Sequence, residues 1–186
     1  MVGGGYKRLA QISADKPTKA CDQALKKIET AYRHAWQLYK NDPYPLTNVL
    51  VARILRLLRN NDPEEVKESL PELVELKAEA VRLAEQGKLN SPDDFWASVG
   101  RTDANLIGYL LDCVQPDSTA LTEALFDGLV KDYGATWRRY GSARELNSVI
   151  DHYAFLNTVL RGVETHKNLS GFLGKTLLSL ISMTES

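Results

Sequence analysis

The sequence predicts an all-α fold of about seven helices, packed as antiparallel pairs. Three observations predict it. Apolar residues recur at three- and four-residue spacings through most of the 186 positions, the period of a helix that buries one face. Proline, glycine and Asn-Asp-Pro clusters interrupt this pattern at intervals a helix can span, and no stretch alternates apolar with polar residues as a half-buried strand would. The connections are short, which favours antiparallel neighbours.

The elements follow in order. "GGGYKRLAQI" sets Tyr6, Leu9, Ala10 and Ile12 near one helical face behind three glycines, which reads as the end of a first helix over residues 1–14. After Pro17 and Thr18, a long amphipathic helix carries Ala20, Ala24, Ile28, Ala31, Ala35 and Leu38 on one face, and Asn41, Asp42 and Pro43 stop it. A third runs through "LTNVLVARILRLLRN", with Val49, Leu50, Ile54, Leu57 and Leu58 apolar and Arg53, Arg56 and Arg59 on another face. The next extends from Pro63 to about Gln86, with a kink or break expected at Pro71 and Gly87 as its stop.

Ser91, Pro92, Asp93 and Asp94 then read as an N-cap, a first-turn proline and two dipole-matched carboxylates opening "FWASVGRTDANLIGYLLDCV". Asp117, Ser118 and Thr119 start "ALTEALFDGLVKDYG", followed by a short "ATWRRYG" read as a connection, and Ser142 opens "ARELNSVIDHYAFLNTVLRG". A weakly polar terminal helix, about 168–184, places Leu169, Phe172, Leu173, Leu177 and Leu180 on one face. Left uncovered, that face is a self-association surface, so it is read either as a cap on the open end of the array or as a homodimer contact.

One domain accounts for this length. The charge is nearly balanced, 23 basic against 24 acidic residues, which argues against a nucleic-acid partner outside a local patch. Cys21 and Cys113 lack metal-site spacing and read as buried thiols of a reducing, cytoplasmic setting. No apolar run is long enough to span a membrane.

Helix pairs invite a search for repeats. Ala31, Ala35, Leu38 and Pro43 follow the second-helix spacing of the tetratricopeptide repeat, with Ala35 in the aromatic place; Val2, Gly3 and Tyr6 match the end of its first helix. Trp96, Val99 and Gly100 repeat the first-helix spacing, with Asp103 standing where tyrosine is expected. Over residues 2 to 160 the chain resembles divergent tetratricopeptide regions of multidomain bacterial signalling and defence-type proteins. It is also similar to the TRAF-binding helical region of stress-activated kinase kinase kinases; "DPYPLTN" and "DDFW" carry most of the likeness. The resemblance implies a right-handed array of helix pairs, cut from a longer protein and serving as a non-catalytic interaction or regulatory scaffold for a protein, a peptide or neighbouring domains.

Catalytic signatures are sparse. His34, His152 and His166 lack the paired spacing of metal-binding bundles, and no cofactor motif occurs; Gly174, Lys175 and Thr176 lack the earlier glycine of a phosphate loop. Asp151 and His152, being adjacent, are expected to point to different parts of their helix surface. Trp36, Trp96 and Trp137 read as packing residues.

Two charged stripes remain, Arg53, Arg56 and Arg59 on one helix and Glu64, Glu65, Glu68, Glu72, Glu75 and Glu79 on the next. Each is either a solvated face with internal pairing or, for Asn48, Arg53 and Arg56, a grip on an acidic partner. Trp137, Arg138, Arg139 and Tyr140 are the second candidate contact, since these residue types dominate binding hot spots. The alternative function is a small helical-bundle enzyme or ligand-binding domain built around Asp151 and His152, marked by an enclosed pocket with convergent histidine and carboxylates.

Overall fold

The computed structural model describes residues 3–14, 19–115, 122–161, 163 and 167–185. Among them are eight helices and no strand: α1 (Gly3–Ile12), α2 (Lys19–Leu38), α3 (Pro43–Asn60), α4 (Pro63–Asn90), α5 (Phe95–Asp112), α6 (Glu123–Tyr140), α7 (Ala143–Leu160) and α8 (Lys167–Met183). The fold is all-α, as the periodicity predicts.

Side-chain pairs give the direction of each neighbour. Along α2 and α3, Tyr32 meets Tyr44, Glu29 meets Arg53 and Asp22 meets Arg59, so one helix descends as the other climbs. Glu72 and Glu65 meet Arg53 and Arg56 in the same antiparallel sense between α3 and α4. Ala84 against Gly100 and Lys77 against Gly108 do so between α4 and α5. Tyr109 against Phe126 and Asp103 against Tyr133 continue it into α6. The step then changes. Phe126 stacks on Phe172 at 5.2 Å and Gly134 touches Met183, so α6 and α8 run parallel.

The array also closes on itself. α7 packs against both α1 and α3, and Arg59 of α3 donates a hydrogen bond across 2.6 Å to the carbonyl of Val159 in α7. A strictly nearest-neighbour stack makes no such contact. α3 is the hub of this arrangement. It buries Leu46, Leu50, Ile54, Leu55, Leu57 and Leu58 together, all round rather than on one stripe, because α2, α4, α5 and α7 surround it.

Several boundaries differ from the sequence expectation. Ser91 ends α4, and Asp94 caps α5 by accepting from Ala97 N at 2.8 Å, so Pro92 and Asp93 form the turn rather than the first helical positions. Asp42 and Asp62 cap α3 and α4 with a proline next in line, which means that the residues expected only to stop a helix also start the following one. Asn61, at φ 48°, makes the left-handed turn between those two helices.

α4 runs unbroken through Pro71, whose exposed ring leaves the freed carbonyl of Lys67 on the solvent side. "ATWRRYG" is the last turn of α6, not a connection, and Gly141 ends it. The expected start at Asp117, Ser118 and Thr119 lies outside the described residues. Leu38, placed on the core face by spacing, is 65% exposed because α2 there extends beyond the cover of its neighbours. No helix among the described residues is long and apolar enough to cross a membrane.

Candidate functional site

The gap between α5 and α7 forms a cavity of about 900 Å³, within the size range of small-molecule sites. One face of each helix lines it. α5 supplies Trp96, Ala97, Gly100 and Asp103, and α7 supplies Arg144, Ser148, Val149, Asp151 and His152, both at one-turn spacings. α1 contributes Lys7, the first turns of α3 contribute Tyr44, Thr47 and Asn48, and α6 contributes Tyr133. Small side chains on α5, Ala97 and Gly100, leave the room. Gly100 is small for another reason as well, because a Cβ there would approach Ala84 Cβ to 3.1 Å at the α4–α5 crossing.

Ionisable groups converge on the wall. Asp103 accepts the Tyr133 hydroxyl at 2.5 Å. Burial pushes its carboxyl up to about 6, against the hydrogen bond from Tyr133 and the charge of Lys7, both of which hold it down. Burial lowers the Lys7 ammonium to about 8, with Asp103 opposing. It also lowers the His152 imidazole to about 3, helped by the charge of Lys7, so this ring is neutral at physiological pH. These three groups are set deep enough to lose solvation, yet each keeps accessible surface, because the cavity reaches them. The Lys7 ammonium also lies 5.6 Å from the Tyr32 ring and 5.7 Å from the Phe155 ring, placing it between α2 and α7.

Asp151 and His152 line the same cavity, contrary to the expectation that neighbours in sequence diverge. Successive residues are about 100° apart on a helix, and a space this wide is bordered by both. Trp96 is likewise no core residue; it is 44% exposed, with Phe95 buried in its place and their rings edge-to-face at 5.0 Å.

Asn48 is 3% exposed. Its Nδ2 donates to the carbonyl of Tyr44 at 2.8 Å, which fixes the amide orientation, and no protein group bonds its buried Oδ1. An unpaired buried acceptor costs about 1–3 kcal/mol.

The arginine stripe turns inward. Of Asn48, Arg53 and Arg56, only Asn48 reaches the cavity. Arg53 pairs with Glu29 at 3.0 Å and bonds Ser69 at 2.9 Å, while Arg56, 7% exposed, pairs with Glu65 and Glu29. The reading of Arg53 and Arg56 as an open grip is thereby corrected: the acidic stripe on α4, joined by Glu29 of α2, occupies them.

At the end of α6, Arg138 and Arg139 are exposed and Trp137 and Tyr140 half-buried. Trp137 Nε1 bonds the Ser142 carbonyl at 3.1 Å, and Lys88 stacks over the Tyr140 ring at 4.8 Å. His34 is exposed on α2, and His166 lies outside the described residues. Cys21 and Cys113 are free thiols, both pushed up by burial, Cys113 to about 12.

The sequence carried one signal for this site. Arg144, Ser148, Asp151 and His152 recur at four- and three-residue spacings on a face of α7 that abuts its apolar one. With the geometry in hand, the class is an all-α helical protein with a half-open cavity in its array, mostly apolar in surface and bordered by a few ionisable groups. No family model matches the chain, and no curated protein or solved structure matches it significantly.

Proposed function

We propose that this chain is a non-catalytic regulatory module of divergent tetratricopeptide type that holds a small polar molecule in the cavity between α5 and α7. The convergence of Lys7, Asp103, Tyr133 and His152 from four different helices onto one cavity carries the reading. A ligand touching them bridges α1 and α7, which close the array, to α5 and α6. Binding therefore stabilises the closed form, and a partner domain that contacts only that form senses it. The antiparallel α2–α3 and α4–α5 pairs support the repeat type, and the free thiols support a reducing, cytoplasmic setting.

The test is thermal denaturation against a collection of small polar metabolites, repeated with Ala97→Phe, which projects a ring from the α5 wall into part of the cavity. Compounds that raise the Tm of the native chain and not of the folded variant support the reading; equal shifts in both, or no shift with any compound, reject it.

Docking of a protein is a second reading, favoured by the exposed Arg138 and Arg139 beside Tyr140. A homodimer through α8 belongs with it, since Leu178 is 68% exposed and Ile181 36% while Leu169, Leu173 and Leu180 are buried against the array. Sedimentation of native and Leu178→Lys protein separates the dimer from the monomer.

A further inference from the structure

The lining of the cavity is unbalanced in charge. Among the described residues, Asp42, Asp94, Asp103 and Asp151 line it against Lys7 and Arg144, and His152 is neutral. The imbalance is greatest away from Lys7. Lys7 and Asp103 offset one another, whereas Asp151 is exposed and has no partner among the described residues. Asp42 and Asp94 each spend Oδ1 on a helix cap and keep the second oxygen.

Two further observations are independent of these carboxylates. Asn48, almost wholly buried in the wall, carries an acceptor that no protein group satisfies. Tyr44 and Trp96 border the cavity and are 55% and 44% exposed, so both rings are open to a ligand from the solvent side. Carboxylates, an unpaired amide oxygen and accessible aromatic faces share one complement. All three attract a positively charged group that carries N–H donors.

Resting on the ligand-binding reading above, we infer that the cavity takes an organic cation: a primary ammonium or guanidinium attached to an apolar or aromatic body. The charged head lies towards Asn48 and Asp151, and the body lies against Tyr44 and Trp96. Arg144 stands exposed at the start of α7 and is screened by solvent, as Asp42, Asp94 and Asp151 are, so the cationic preference rests on the excess of carboxylates over cations in the lining. An anionic ligand would meet the opposite field, and a neutral one would leave the carboxylates without a partner.

Three probes of one shape test this: phenethylamine, phenethyl alcohol and hydrocinnamate, which differ only in the charge of the head. Binding is followed by the NMR shifts of the Asn48 side-chain amide and the Trp96 indole, because such fragments bind at millimolar strength. The expected result is saturable shifts with phenethylamine alone, weakened about fivefold in Asp151→Asn, the worth of one solvated charge contact. Asn48→Ser, checked for folding by circular dichroism, weakens it as well. Equal binding of all three probes, or preference for hydrocinnamate, overturns the cationic assignment and leaves the cavity as a ligand site. No shift with any probe overturns both.

Discussion

Tyr133 of α6 donates its hydroxyl to Asp103 of α5 across 2.5 Å, and the Tyr133 ring stands edge-to-face on Tyr153 of α7 at 5.8 Å. One side chain thus joins both walls of the cavity to the helix behind them. Asp103 also borders the cavity, so this one contact ties the α5 wall to α6.

Tyr133→Phe removes the hydroxyl and keeps the ring. A hydrogen bond to a charged group contributes about 1.5–3 kcal/mol, and the loss is expected in that range by urea denaturation at neutral pH. Because this bond holds the Asp103 carboxyl down, its titration, read by carbon-13 NMR, moves above 6 in the variant. An unchanged titration would show that the bond does not operate in solution.

Asp103 and His152 push the acid stability curve in opposite directions. Burial raises Asp103 from its ordinary value of 3.8 to about 6, so between those values the folded state holds more protons than the unfolded one and stability falls as pH rises. Burial lowers His152 from 6.5 to about 3, so the unfolded state holds the extra proton there and stability rises with pH over that wider window. Between about pH 4 and 6 the two slopes oppose one another and nearly cancel, so this pair leaves the native chain close to flat there, and the histidine effect prevails only below and above that window. Asp103→Asn uncovers a rise of Tm with pH between about 4 and 6 and His152→Gln a fall, while slopes equal to the native one in both would dismiss these assignments.

Arg56→Met leaves Glu65 without the guanidinium that faces it from α3, while Glu29 keeps Arg53 at 3.0 Å. Breaking a buried ion pair from one side costs about 3–5 kcal/mol; because Glu65 is partly exposed, a loss near 3 kcal/mol is expected. Arg56→Met combined with Glu65→Gln recovers part of it, whereas a solvated surface stripe would lose less than about 1 kcal/mol in the single variant.

Gly141→Ala probes the end of α6. A Cβ at this position falls 2.5 Å from Trp137 Cδ1 and 2.9 Å from its Cα, and the second of these cannot move aside. The variant therefore shifts the last turn of α6 and the indole bond to Ser142. The expected loss is about 1–3 kcal/mol, the usual cost of overpacking, with a red-shifted Trp137 emission in a background lacking the other two tryptophans.

What the sequence by itself determined was local. Helical periodicity, the Asn-Asp-Pro breaks and the start at Ser142 are read within a turn or two of chain, and the helices they delimit are present. The buried face of α8, Leu169, Leu173 and Leu180, follows in the same way. Tertiary structure alone decided which way the charged stripes face and where polar groups meet. Arg56 is a surface residue by its spacing and a buried one by its neighbours, because α4 lays its glutamates across it and α2 adds another. Lys7, Asp103 and His152 lie far apart in the chain, and their meeting depends on α7 closing back onto α1 and α3. Periodicity reports which face of a helix is apolar; the partner that covers that face, and the space left where two helices stand apart, are set by how all eight pack together.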